Sequence, residues 1–369
     1  MIGKTDFRNE ESKKKMGKVT IQDIADALGV SRNTVSRAIN QSGGIAEATR
    51  ARILQKAVEM GYKQFSYVSL LSDAAGQSQE PALPSATGTI AMLTTTLFSQ
   101  HHHFGIPMLD KFSMELSQLG YTMESYIIDS TLLLQRRLPE DFHSEKVDAI
   151  ICVEMLDRSY GELICSLGLP VLMVDSPVYL DGYPLAADHL YMENTNAVTQ
   201  IIRDGLNKGM KRFGFIGNHL HCQSFYERYT AFRMALIQAG LPVEEKFCIR
   251  HNNLEDQVAV LNSLTDFPDL FICANDFVAV GAMELLRKRG ISVPQNVCFS
   301  GFDDAPESRL LTPALTTVHI HSQSMAVIAV QLLLSRIKEP SMNYRTLHTE
   351  STVIYRSSTN PSRIQEAMV

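Results

Sequence analysis

Two periodicities divide the chain. Near the N-terminus, Ile21, Ile24, Ala25 and Leu28 fall on one face of a 3.6-residue repeat, which predicts an amphipathic helix opened by Thr20 and Asp23 as a capping-box variant. Gly29 ends it, since glycine tolerates a positive φ at little cost. Ser31 then caps a second short helix with Val35, Ala38 and Ile39 turned inward, and after a loop at 41–44 a third helix is predicted over about 47–60, its apolar face made by Ile53, Leu54, Ala57 and Val58. From residue 88 the pattern changes. Apolar, strand-like runs at 89–95, 121–129, 147–153, 170–175, 212–217, 270–274 and 297–302 alternate with amphipathic helices near 108–119, 194–208, 225–239 and 276–289. Such βα alternation predicts parallel sheets covered on both faces, and it continues for longer than one sheet requires, so two subdomains are expected.

Two short helices joined by a tight glycine turn make a helix-turn-helix unit. The second helix is too short to bury much surface. Its outward face carries Arg32, Asn33, Ser36 and Arg37. Arginine pairs with guanine and asparagine with adenine through two hydrogen bonds in the major groove, so this face suits the reading of base edges. Ser31, Thr34 and Asn40 are placed to hold phosphates and fix register, and Thr20 at the start of the first helix joins the DNA-facing set. The bland alternative is a three-helix bundle with a solvated polar face.

Charge sharpens this picture. The net charge is −6, but residues 16–65 carry seven basic side chains against four acidic ones. A basic small end on an acidic body suits phosphate contacts confined to one module. No apolar run is long enough to span a bilayer, and residues 1–18 are polar without an apolar segment of the export type, so a cytoplasmic location is expected. The six cysteines (Cys152, Cys165, Cys222, Cys248, Cys273 and Cys298) form no CxxC pair and read as buried thiols.

With these residues in view, the segment 19–62 resembles the headpiece of the LacI/GalR family of bacterial repressors, most plainly in VTIQDIADALGVSRNTVSRAIN and TRARILQKAVEMGY. The resemblance implies that Arg32, Asn33 and Arg37 contact bases. Ala46 departs from it, standing where the family has a serine that caps the third helix. In the family a proline and an alanine-rich hinge follow, ending in a leucine that wedges into the minor groove. Here those small positions are replaced, with Tyr67 and Val68 bulky, and Leu71 falls at the wedge position. A contact between linker and core is the other reading of Leu71. Residues 73–87 read as a flexible tether.

The likeness continues into the large region, at KGMKRFGFIG, RYTAF, GFDD, LTTV and ESTVIYRSST. It implies a periplasmic-binding-protein-like core of two Rossmann-like subdomains with a small molecule bound between them, at the carboxyl ends of the strands. It places effector contacts at Arg228 and Asp276, with Asn275 adjoining. An aspartate that accepts from hydroxyls and an arginine that donates to oxygens suit a sugar or polyol. Where sugar-binding members have Asn-Pro-Phe-Phe, this chain has LFSQHHHF, whose Phe98 and Phe104 are candidates to stack on a ligand ring. Asp175-Ser176 and Glu193-Asn194 stand where other members carry polar groups near the cleft, and Asp175 completes the candidate set.

The adjacent histidines at 101–103, and His219, His221 and Cys222, lack zinc spacing and read as solvated or ligand-facing loops; neither a metal nor a cofactor is expected. No GxGxxG opening a helix, P-loop, GxSxG or HExxH is present, which argues against an enzyme. A periplasmic ligand carrier would share the core but not the headpiece. The expected organisation is an α/β protein: an arm at 1–17, an all-α helix-turn-helix headpiece at 18–63, a hinge and linker at 64–87, an effector-binding core at 88–359 with crossovers near 188–192, 315–320 and 342–350, and a tail at 360–369. A homodimer on a palindromic double-stranded DNA operator is expected, because one headpiece covers only a half-site. The expected function is repression controlled by a small-molecule effector, a carbohydrate or, alternatively, a nucleobase-like corepressor.

Overall fold

The computed structural model describes residues 20–39, 46, 49–50, 52–53, 56, 60, 88–95, 105–180, 183–251 and 253–360. The chain separates into two compact units, Met1–Pro81 and Ala82–Val369.

In the first unit, α1 (Ile21–Leu28) begins with a true capping box. The Asp23 N–H donates to Thr20 Oγ1 at 3.3 Å, and the Thr20 N–H donates to Asp23 Oδ2 at 2.7 Å. Gly29 closes the helix at φ 64°, a left-handed conformation that costs a side chain dearly. Ser31 Oγ accepts from the Thr34 N–H at 3.0 Å and so caps α2 (Arg32–Ile39). Ile24, Ala25, Val35, Ala38 and Ile53 form the small core. Residues 49–50, 52–53 and 56 are helical, within the span expected for a third helix.

The second unit opens with β1 (Gly88–Thr95), α3 (Gly105–Gln118), β2 (Tyr121–Ile128), α4 (Ser130–Gln135), β3 (Ala149–Val153), α5 (Arg158–Cys165), β4 (Val171–Val174) and β5 (Asp188–Met192). The chain then passes through α6 (Thr195–Asn207) into β6 (Phe213–Ile216), α7 (Gln223–Gln238), β7 (Cys248–Ile249), α8 (Leu254–Ser263), β8 (Leu270–Cys273), α9 (Asp276–Lys288) and β9 (Cys298–Ser300). It returns by α10 (Pro306–Leu310), β10 (Thr317–Ile320), α11 (Ser322–Lys338), β11 (Thr346–Thr349) and β12 (Ser351–Ile354).

These strands build two parallel sheets, in the orders β11-β5-β4-β3-β1-β2 and β7-β6-β8-β9, together with an antiparallel pair β10-β12. The strand β11 is a late addition to the first sheet, pairing Thr346–Thr349 beside His189–Met192. Strands β3 and β4 are buried at every position, as expected of parallel strands covered on both faces. Five of the cysteines are buried, Cys165 is half-buried, and all are free thiols. Among the described residues, no helix is long and apolar enough to cross a membrane.

Candidate functional site

On α2, Val35 and Ala38 face the core, while Arg32, Asn33 and Arg37 are exposed and Ser36 is half-buried beside them. The helical repeat thus leaves the expected polar face outward. Ser31 and Thr34 link their hydroxyls at 2.7 Å, and Thr20 Oγ1 donates to Asp23 Oδ2 at 2.7 Å. Asn40, Leu71, Phe98, Phe104 and the histidines at 101–103 lie outside the described residues.

In the second unit, the carboxyl ends of β4 and β5 meet those of β6, β8 and β9. Arg228, on α7, is buried at their junction. Its Nε donates to Asn194 Oδ1 at 2.8 Å and its Nη1 to the Ala274 carbonyl at 2.6 Å. Its guanidinium lies 3.5 Å from the centroid of the Phe302 ring, and Nη1 is 3.9 Å from Asp303 Oδ1.

Asp276 opens α9 and is buried as well. Its Oδ1 accepts from the Thr317 hydroxyl at 2.5 Å and its Oδ2 from the Ala305 N–H at 2.8 Å. Burial, then the neighbouring charges of Asp303 and Asp304, push its carboxyl up to about 8. Asn275 caps α9, its side chain accepting from the Val278 N–H at 3.0 Å. Asp175, at the end of β4, accepts from the N–H groups of Ser176 at 2.8 Å and Ser224 at 3.3 Å. Burial and the charge of Glu154 raise it to about 6, against those hydrogen bonds. Asp304 is paired with Arg356, Arg309 and His319.

Backbone strain gathers at these strand ends. Glu154 (φ 51°), Asp175 (φ 57°), Asp303 (φ 113°) and Asp304 (φ 53°) all follow strands in the left-handed region. Such conformations persist where the surroundings over-determine them, as at ligand clamps.

The sequence reading singled out Arg228, Asp276, Asn275 and Asp175. The structure gathers all four at the junction, with Asn275 engaged in capping. It adds Phe302, Asp303, Glu227 and His348, which sequence reasoning missed. His348 lies on a short strand whose partners are over 100 residues away, so no local pattern announces it. His219 packs its ring 4.7 Å from that of Tyr229, and among the described residues no group of three or more His, Cys, Asp or Glu is arranged to hold a metal ion.

A helix-turn-helix with an exposed polar second helix, followed by a two-sheet unit with polar groups gathered at its strand ends, is the arrangement of a DNA-binding regulator with an effector-binding domain. Residues 20–64 match the bacterial regulatory proteins, lacI family, and residues 202–359 match the periplasmic binding protein-like domain. The chain thus carries a LacI-family DNA-binding domain and a periplasmic-binding-protein-like domain, and its relatives and structural neighbours are transcriptional regulators rather than enzymes.

Among its relatives are the HTH-type transcriptional repressor PurR of Vibrio parahaemolyticus, 25% identical over 346 residues (92% of this chain, 98% of the relative), and the HTH-type transcriptional regulator GalR of Lacticaseibacillus casei, 28% identical over 354 residues (92% and 99%). The fold is shared with the regulator CelR in complex with cellobiose, at TM-score 0.65 and 22% identity, over 92% of this chain and 99% of that one. It is also shared with the lac repressor dimer bound to operator, at TM-score 0.59 and 19% identity, over 93% and 99%.

Proposed function

We propose that the chain is a homodimeric repressor that reads a palindromic operator with α2 and releases or grips it according to a small molecule held where the two parallel sheets meet. In this reading Arg32, Asn33 and Arg37 address base edges. Thr20, Ser31, Thr34, Ser36 and Asn40 hold phosphates or flank the bases, and Leu71 wedges into the minor groove. The observation that carries the effector site is the buried Arg228, seated on Phe302, hydrogen-bonded to Asn194 and 3.9 Å from Asp303.

A flat cation beside the Asp303 carboxylate suits a ligand rich in vicinal hydroxyls, because Arg228 donates to ring oxygens and the Asp276 carboxyl, largely protonated at neutral pH, can both donate to and accept from hydroxyls. A sugar or sugar derivative is therefore the effector class favoured, with Phe98 and Phe104 as stacking partners and Asn275 beside Asp276. The recurrence of the name PurR among the relatives favours a second reading, a nucleobase-like corepressor. Thermal shift of the purified chain against glucose, galactose, ribose, cellobiose, hypoxanthine and guanine separates the two. A sugar that raises the midpoint of wild type but not of Arg228→Ala supports the first reading. A purine that alone does so replaces it, and silence from every compound counts against a site at Arg228 for either class.

A further inference from the structure

Asn194 follows β5 where the chain leaves the first sheet, and its side-chain amide is buried between opposite charges. Oδ1 accepts from Arg228 Nε at 2.8 Å, and Nδ2 donates to Glu227 Oε2 at 2.8 Å. Turned through 180°, the amide would set its NH2 against a guanidinium and its carbonyl against a carboxylate, and both hydrogen bonds would be lost. Glu227 therefore fixes which end of Asn194 meets Arg228. Glu227 is held in turn by Gln223 Nε2 at 3.2 Å and by His348, whose Nε2 lies 3.3 and 3.2 Å from the two carboxylate oxygens. His348 sits on β11, and its ring tilts against Tyr191 of β5 with centroids 5.1 Å apart. Two strands of the first sheet and a helix of the second thus converge on one carboxylate.

We infer that Glu227 and His348 are positioning residues for Arg228: acting through Asn194, the pair sets the orientation of the guanidinium and does so according to the proton on His348. The consequence for effector binding rests on the reading of Arg228 given above; the relay itself does not.

The groups facing the imidazole are Glu227 from α7, Tyr191 from β5 and Glu193 just after that strand. The hydrogen bond to Glu227 raises His348 above the ordinary histidine range against the effect of burial, with both carboxylates adding to it. Burial pushes Glu227 up, but His348, Asn194 and Gln223 outweigh it and leave its carboxyl below the usual range. Of the pair, His348 is the member that gives up its proton at the higher pH. As pH rises through that titration the pair loses its attraction, and Arg228 is held less firmly. A coupling of half to one pKa unit corresponds to about a three- to tenfold change in effector affinity, weaker at high pH.

The test needs no effector. Histidine Cε1–H and arginine Nε–H resonances of the deuterated full chain are followed by NMR from about pH 5.5 to about pH 8.5, the histidine window, with Arg228→Lys and His348→Gln to assign them. Expected is an Arg228 resonance that moves with a midpoint above 6.5 shared with His348. In Glu227→Gln the His348 midpoint falls and Arg228 ceases to follow it. In His348→Lys, permanently charged, Arg228 keeps its low-pH position throughout. Should Glu227→Gln fail to fold, the two His348 variants decide the matter. A wild-type His348 midpoint at or below 6.5, or an Arg228 resonance indifferent to it, overturns the inference. With no effector present, that failure is distinct from a failed ligand panel.

Discussion

Asp175 and Ser224 join the two parallel sheets: the carboxylate at the end of β4 accepts from the backbone N–H in the first turn of α7, at 3.3 Å. Cys222, the residue before α7, makes no side-chain capping bond, so an acid from the other sheet serves that helix end instead. The neighbouring Gln223 N–H donates to the Ser176 carbonyl at 2.9 Å, which makes the contact a two-point seam.

The seam has a pH dependence whose sign follows from burial. Asp175 is raised to about 6 in the fold, burial being the main cause. An unfolded aspartate titrates near 4, so the folded chain binds its proton more tightly, and stability from this group falls as pH rises from about 4 to about 6 and stays lost above. Asparagine keeps an acceptor for Ser176 and Ser224 without the charge. Asp175→Asn is therefore expected to stabilise the chain at neutral pH by about 1–3 kcal/mol and to match wild type near pH 4. Asp175→Ala lacks the acceptor and is expected to lose about 1 kcal/mol relative to Asp175→Asn. Calorimetric melts at the two pH values check both, and an asparagine variant less stable at neutral pH would contradict the account.

A second seam ties α11 to the first sheet. Asp188 is buried between Arg336 (Nη2 at 2.8 Å) and Arg345 (Nη2 at 2.7 Å), and Arg336 also donates to the carbonyls of Pro340, Met342 and Asn343. The two guanidiniums hold Asp188 below the usual carboxylate range although burial pushes it up. Arg336→Met leaves a buried charge half-compensated and three carbonyls without a donor, and is expected to cost about 3–5 kcal/mol. Urea unfolding measures this. A loss below about 1 kcal/mol would mean that the pair merely repays its own desolvation.

The division of labour between the units gives a paired prediction. Arg37→Ala is expected to abolish operator selectivity, at about 1–3 kcal/mol per lost base contact, and to leave ligand-induced stabilisation intact. Asp276→Ala is expected to do the reverse. It removes the acceptor for the Thr317 hydroxyl and the Ala305 N–H, and with it the loop that carries Asp303. Footprinting on a selected palindrome and calorimetry with the compound identified by thermal shift read the two properties. Loss of both in either variant would break the division.

Much of this was legible beforehand, and the boundary is physical. Gly29, Ser31 and the apolar positions Ile24, Ala25, Val35 and Ala38 are local signals, and the structure shows each as read, while the side chain of Ile39 lies outside the described residues. The buried strands β3, β4, β6 and β8 were visible as apolar runs, trimmed at their ends in the structure. The helix expected to start near 108 begins at Gly105, with Pro107 in its first turn, where the missing N–H costs no intrahelical bond. The periodicity did not show β11, of whose four residues only Thr349 is buried and whose place in the first sheet depends on β5 alone. For the same reason the Asn194–Glu227–His348 contacts were invisible: Glu227 and His348 are 121 residues apart and touch only because the chain returns to its first sheet. Arg228 and Asp276 came from family likeness, and no spacing in the chain would have paired them.

Gly29 offers the most economical test of the headpiece. Its φ of 64° is left-handed, and a Cβ added there would meet nothing within 4 Å. Any penalty for Gly29→Ala is therefore conformational rather than steric, about 1 kcal/mol. The bond at stake is the Gly29 N–H to the Ala25 carbonyl, which ends α1 and sets the direction in which α2 leaves. A small headpiece destabilised by that amount should melt about 4–8 °C lower. The effector-binding unit contains none of these atoms, so its melting midpoint should not move. An equal loss at the alanine and at a Gly29→Asn variant, whose side chain tolerates the left-handed region, would show that the turn does not depend on this backbone preference.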